Sequence, residues 1–477
     1  MQIVLTNTLT RAKESFVPLR ENEVGVYYCG PTVYWTQHIG NLRGATCADL
    51  TVRVLQYNDY NVKFTRNYTD VGHLTGDNDG DADAGIDRMD KAVARDRSSP
   101  EQIAEKYINQ YEQDAKKLNF IDPTFKPRAT EHIEEMIELI RALLEKGFAY
   151  ETDLAVYFDT SRAVNYTRLS GQNLEMNRAG AGAGDVHDQG KHNPQDFALW
   201  FFAVGAHARA LQTWASPFHS PLVNNGEGFP GWHIECSAMS KKYLGPTLDI
   251  HIGGIEHIPV HHTNEIAQSE SANGVRFVNY WLHNEHLLVD NRKMAKSEGT
   301  GYSLDEVIDR GFNPLSLRYF FLTAHYRSSQ NFTWEALGQA NIAYNKLLGI
   351  IREHRMVGTD GGIILDKYAH SFLEAINDDL NIPKALAVMW TMIRAKKSSP
   401  NDKLATLYQF DKVFGLGLRD ETSTDNAIPA QLIELLALRN TARESKNWKG
   451  ADLIRIEIEL LGYTIKDTDK GSKLEKR

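Results

Sequence analysis

Residues 24–30, VGVYYCG, are β-branched and aromatic and end on glycine, the pattern of a buried strand. The next stretch, 42–60, spaces Leu42, Ala45, Ala48, Val52 and Leu55 as one face of a helix. Residues 61–68, NVKFTRNY, then alternate apolar and polar positions as a strand does. Strand, helix and strand in about 45 residues predict a βαβ unit, hence a parallel sheet with a right-handed crossover. Ligands of such sheets sit beyond the carboxyl ends of the strands, where helix N-termini offer free N–H groups to phosphates. Cys29, His38 and Asn41 fall at that edge.

Further on, Ile133, Met136, Ile137, Ile140 and Leu144 mark an amphipathic helix over 131–147, with Gly147 suited to its C-terminal cap. Residues 177–194 are glycine-rich but lack the Gly-Lys-Ser/Thr ending of a phosphate-binding loop. The apolar run 197–204 is far too short to span a membrane. Residues 231–258 return to the alternating, glycine-punctuated style of the first strand. From about residue 335 the periodicity becomes helical, and a last helical unit around 429–463 meets a polar tail. No internal repeat is visible.

A chain of 477 residues exceeds one core, so roughly two to four domains are expected. At 42% hydrophobic and 24% charged it has an ordinary globular balance. The start, MQIVLTNTLT, has no basic region followed by an apolar run, so no secretory signal is read there. Three cysteines, Cys29, Cys47 and Cys236, are an odd number that suggests no disulfide framework and points to a reducing cytoplasm. The net charge of −9 argues against a protein coated in nucleic acid, yet leaves room for one basic track on an acidic body.

Three motifs carry candidate chemistry. Cys29, Cys236, His261 and Glu265 offer two thiols, an imidazole and a carboxylate, and the last two share a face if 260–269 is a helix. Such a set could complete a tetrahedral zinc shell, although a buried free cysteine also serves simply as a small hydrophobe. His262 then reads as a core histidine or one behind the ligands. HIGN (38–41) sets a histidine before a helix-opening glycine, where it can donate to phosphate oxygens while Gly40 admits a nucleotide base. KMAKS (293–297) follows a strand-like LLVD and places two lysines where they could hold triphosphate charge during transfer at the α-phosphorus. DNDGDADAG (77–85) resembles a calcium loop but puts Ala82 where that loop requires glycine, so it reads as a solvated acidic loop.

HIGN and KMAKS in this order resemble the paired signature of class I aminoacyl-tRNA synthetases. YYCGPTVY, GWHIECSAM, HHTNEIAQS and the C-terminal ARESKNWKGADLIRIEIELLGYTIKDT narrow the resemblance to cysteinyl-tRNA synthetases, over nearly the whole chain. The resemblance implies one zinc held by Cys29, Cys236, His261 and Glu265, and substrate contacts at Trp232 and His251. It implies ATP contacts at His38, Gly40, Asn41 and Lys296, catalytic roles for His38, Lys293 and Lys296, and Mg2+ entering with ATP. The implied partners are L-cysteine, ATP and tRNA(Cys), with no membrane, for a monomer in the cytoplasm. The implied fold is α/β: a Rossmann-like catalytic domain in two halves, 1–120 and 231–300, around an inserted connective domain, 121–230. A stem-contact region (301–340), a helical anticodon-binding domain (341–420) and a small C-terminal domain (421–477) would follow. Four positions depart from the family pattern: Asn41 for histidine, Ala295 for serine, Ile252 for glycine and Thr263 for glutamate. The stretch 197–228 is also longer than expected. A cysteine ligase of the mycothiol-synthesis type is the nearest alternative, but it would not need the roughly 140 residues after 335 that read as an RNA-binding region.

Overall fold

Leu248–Gly254 is buried at every position, as a strand flanked on both edges and covered on both faces must be. In the computed structural model it pairs in parallel with Glu23–Tyr28 on one side and Val278–Asn284 on the other. Asn61–Arg66 adds a fourth parallel strand beyond Glu23–Tyr28. The helix Ile39–Tyr57 is the crossover from Glu23–Tyr28 to Asn61–Arg66, as the periodicity predicts, and the helix His261–Asn273 joins the other pair. The two βαβ units diverge from the central pair, so the strand order reverses between Glu23–Tyr28 and Leu248–Gly254. A crevice therefore opens beyond Cys29 and Gly254, where parallel sheets bind ligands.

The structure describes residues 2–72, 74, 87–172, 188–294, 300–357, 361–419, 430–445, 447–460, 463–468 and 471–476. The acidic stretch 77–85, residues 177–187 of the glycine-rich stretch, Ala295 and Lys296 lie outside them. Between Arg66 and Leu248 the chain builds a second, antiparallel sheet from Ala149–Glu151, Ala155–Phe158, Phe197–Phe202 and Gly228–Pro230. The apolar run at 197 is one of its inner strands, buried throughout. The long stretch after it folds back on its own sheet: Trp214 pairs with Gly228, and Trp200 Nε1 and Ser216 Oγ both donate to the Gly226 carbonyl.

One expectation is corrected. GWHIECSAM is not strand-like but opens the helix Trp232–Leu244, buried continuously from Trp232 to Ser240. Residues 232–238, WHIECSA, alternate apolar and polar types, a period of two that reads as a strand although the segment is helical and buried. The polar tail is an antiparallel hairpin, Tyr463–Thr468 with Gly471–Lys476.

Four helices, Trp334–Val357, Asp366–Asn377, Ile382–Ile393 and Pro400–Phe414, share one hydrophobic core with the parallel sheet. The chain divides into two compact units, Met1–Leu418 and Arg419–Arg477. The second contains the helices Ala430–Glu444 and Trp448–Leu460 and the hairpin, with Leu432, Leu435 and Ile458 at its core. Among the described residues no helix is long and apolar enough to cross a membrane.

Candidate active site at the switch of the parallel sheet

The crevice is a cleft of about 480 Å³ lined by Cys29, His38, Gly40, Asn41, Trp232, Cys236, His261 and Lys293, among others. Sequence-distant motifs meet here: Cys29 and His38 follow the first parallel strand, Trp232 and Cys236 come from the helix Trp232–Leu244, and Lys293 comes from a separate three-stranded sheet. Cys29 follows the first strand directly, and Gly30 N donates to Asn67 Oδ1 at 2.9 Å. A Cβ on Gly30 would lie 1.7 Å from the Asn67 carbonyl oxygen, so only glycine fits beside this cysteine.

His38 is the N-cap of the helix Ile39–Tyr57. Asn41 N donates to His38 Nδ1 at 3.2 Å, and His38 N donates to Asn41 Oδ1 at 3.3 Å, a reciprocal capping box. The asparagine that departs from the family pattern thus closes the cap. Ile39 N donates to the Tyr302 carbonyl at 2.8 Å, which holds this turn beside the chain that leaves the lysine motif. Lys293 ends the strand Arg292–Lys293, exposed, and both it and Met294 line the cleft.

On the opposite wall Cys29 Sγ lies 3.7 Å from Cys236 Sγ and 3.8 Å from Glu265 Oε1. His261 Nε2 is 2.9 Å from Glu265 Oε1, one helical turn away, but forms no hydrogen bond. Two Zn–S bonds of about 2.3 Å at the tetrahedral angle separate their sulfurs by about 3.8 Å, so the cysteine spacing fits a shared metal. An imidazole nitrogen buried among sulfur and carboxylate oxygen, without a hydrogen bond, fits it as well. His262 belongs to the same group: the donor atoms of Cys29, His261, His262 and Glu265 all lie within 4.8 Å of one another.

Neighbouring charges shift the titration of the buried groups in this cluster. Burial pushes the Cys236 thiol up, but the hydrogen bond with Cys29 and the neighbouring His261 outweigh it and bring it to about 6. Burial and Cys236 push the Cys29 thiol up. Burial would depress His261, yet the Glu265 carboxylate and Cys236 raise it to about 10. Burial also opposes ionisation of Glu265, which His251 and His261 nevertheless hold well below the usual carboxylate range.

Trp232 lines the cleft and stacks on His261, ring centroids 4.2 Å apart. His251 stands elsewhere than a cleft wall: fully buried, stacked on Trp281, with Nε2 2.8 Å from Glu265 Oε2. Ile252, in place of a glycine, is a buried core residue of the central strand. Thr263 donates its hydroxyl to the Ile258 carbonyl at 2.7 Å, a local cap within the turn. Sequence reasoning missed Glu256, His257 and Arg88, which line the cleft, and His233, whose Nδ1 lies 2.9 Å from His261 Nδ1. The clue available for His233 was its place in GWHIEC, three residues before Cys236.

A family model described as the class I (C) tRNA synthetase catalytic domain matches residues 15–342. The cysteine–tRNA ligase 1 of Burkholderia lata is 44% identical over 99% of this chain and 97% of that protein. The cysteine–tRNA ligase of Treponema denticola is 40% identical over 98% of both chains, and that of Thermus thermophilus 40% over 99% of both. The leucyl-tRNA synthetase of Agrobacterium radiobacter K84 superposes with a TM-score of 0.59 at 11% identity, covering 84% of each chain. The methionyl-tRNA synthetase of Mycobacterium tuberculosis, solved with methionyl-adenylate, gives 0.53 at 15%, covering 83% of this chain and 90% of that one. At such identities these two carry the fold alone. The curated relatives match through the C-terminal helices as well as the catalytic half, which disfavours an amino-sugar ligase. On the family model and the full-length relatives together, this chain belongs to the class I cysteinyl-tRNA synthetases.

Proposed function

We propose that the enzyme activates L-cysteine with ATP and charges tRNA(Cys), and that Cys29, Cys236, His261 and Glu265 hold one zinc ion that recognises the substrate thiol. The observation that carries the reading is that Cys29, Cys236 and His261 line one cleft with His38, Gly40, Asn41 and Lys293, and that Glu265 is buried beside them, 2.9 Å from His261 Nε2 and 3.8 Å from Cys29 Sγ. When bound, zinc supplies a soft Lewis acid that favours a thiolate over a hydroxyl, which separates cysteine from serine in one binding step.

The remaining chemistry needs no protein nucleophile. The cysteine carboxylate attacks the α-phosphorus of MgATP and pyrophosphate leaves. His38, its ring held by the Asn41 N–H, and Lys293 stand where they can meet phosphate oxygens, and Lys296 follows Lys293 in the same motif. Their part is to stabilise charge that develops on those oxygens. A terminal ribose hydroxyl of the tRNA then attacks the adenylate carbonyl, releasing AMP. Trp232 walls the amino-acid site through its stack on His261, and His251 supports that site through Glu265. The helices from Trp334 onward and the second unit are assigned to tRNA contact, with the domain divisions given above. The enzyme acts as a monomer in the cytoplasm, an assignment resting on the family resemblance.

Cysteine-dependent ATP–pyrophosphate exchange, with metal content measured on the same sample, tests this. Exchange with cysteine but not serine, at one zinc per chain, is expected. Absence of exchange sinks the activity, and an active protein without zinc sinks the metal assignment.

A further inference from the structure

The metal cluster contains one donor more than a tetrahedral shell uses. His262 Nε2 lies 3.4 Å from Cys29 Sγ and 3.9 Å from Glu265 Oε1. A sulfur and an imidazole nitrogen on one tetrahedral zinc stand about 3.6 Å apart, so the first spacing suits a shared metal. The other face of the ring is equipped as a ligand's is. His262 Nδ1 lies 2.7 Å from His283 Nε2, and His283 Nδ1 lies 2.8 Å from Thr8 Oγ1. Metal-bound histidines almost always donate the second ring N–H to an acceptor such as a carboxylate, a backbone carbonyl or water, which fixes the tautomer and turns the lone pair toward the ion, and here an imidazole nitrogen stands in that place. His261 is built the same way, with Nδ1 on His233. The fold also makes room for this ring: a Cβ on Gly253 would lie 2.5 Å from His262 Cε1.

We propose that His262 is a reserve ligand of the metal centre, which completes a four-donor shell with Cys29, His261 and Glu265 when Cys236 leaves it. The inference rests on the metal reading above and goes beyond its four-residue ligand set. The consequence is that loss of one thiolate changes the ligands of the site without emptying it.

The test uses the full chain, stripped with chelator and titrated with Co2+ alone, read by thiolate-to-cobalt absorption and by metal retained after desalting. Cys236→Ala should keep one Co2+ per chain with weakened charge-transfer bands. Adding His262→Asn, whose side chain can still reach His283, should lower Co2+ affinity by about 100-fold relative to Cys236→Ala. X-ray absorption on cobalt-loaded Cys236→Ala should show one more imidazole than the wild type, a reading that does not depend on the double variant folding. If Cys236→Ala shows no gain of imidazole, or loses cobalt as completely as the double variant, the inference is overturned while the metal site stands. If the wild type itself takes up no cobalt, the metal reading falls and this inference with it.

Discussion

Asp114 is 2% exposed and its Oδ1 finds no hydrogen-bond donor, while Lys117 Nζ comes no closer than 3.9 Å. Burial, opposed by Lys117 and aided by Asp305, raises its carboxyl to about 7. The folded state therefore keeps a proton that the unfolded chain has already released between about pH 4 and 7, and stability falls as pH rises through that window. Asp114→Asn removes the ionisation, so it should stabilise the protein by about 2 kcal/mol at pH 8, with the gain vanishing near pH 4. Urea titrations at the two pH values check this; an equal effect at both would show that charge is not the cause. Gly253 makes the second residue-scale case, because a Cβ there would also lie 2.8 Å from His257 Nδ1. Gly253→Ala should cost about 1–3 kcal/mol through displaced rings, seen as a lower melting temperature together with weaker metal retention.

At the scale of elements, the helix Ile39–Tyr57 couples local structure to chemistry through its cap. His38 supplies the side-chain acceptor for Asn41 N and lines the cleft at the same time. His38→Ala should cost about 1 kcal/mol of stability as a lost N-cap. Adenylate formation should slow by about 100-fold or more, if the ring meets phosphate in the transition state. Denaturation and single-turnover exchange separate the two effects. A rate loss no larger than the stability change accounts for would leave His38 a cap and nothing more. The helix His261–Asn273 works alike: its first turn delivers His261, His262 and Glu265 to one side while its length spans the crossover between strands.

Over the whole molecule, Arg318 ties the larger unit together. Its fully buried guanidinium pairs with Asp49 and donates to the Phe414 carbonyl at 2.6 Å and the Leu118 carbonyl at 3.1 Å. Arg318→Met leaves the Asp49 carboxylate buried with Arg53 as its remaining ion-pair partner, and should destabilise the protein by about 3–5 kcal/mol. Denaturant unfolding measures it; a loss below about 1 kcal/mol, the scale of an exposed pair, would refute a structural role for the ion pair. Because one hydrophobic core runs from Ile3 to Leu418, a chain ending at Ala340 should expose that core and lose cysteine-dependent exchange. A chain ending at Leu418 keeps the core intact, so it should retain exchange while tRNA charging falls. Exchange retained by the shorter chain would show that the sheet folds without the helices.

Period and turn residues made the first βαβ unit, the helix at 133 and the i, i+4 spacing of His261 and Glu265 legible in the sequence alone, although the helix Ile39–Tyr57 is buried without a break from Leu42 to Val52. The two thiols and the lysine motif were legible as residue types; the donor atoms of Cys29, His261 and Glu265 lie within 4.8 Å of one another, with Cys236 Sγ 3.7 Å from Cys29 Sγ. Two elements were not legible. The helix Trp232–Leu244 alternates apolar and polar residues over 232–238 as a strand does, and the polar C-terminal hairpin has too little apolar alternation to announce strands. Tertiary structure alone decided which histidine reaches which atom. His251 went beneath Glu265, His262 to Cys29, and His233 and His283 behind the two helix-borne rings. Those contacts join residues brought together by parallel pairing of Glu23–Tyr28 with Leu248–Gly254, and a pairing across more than 200 residues leaves no local period in the chain.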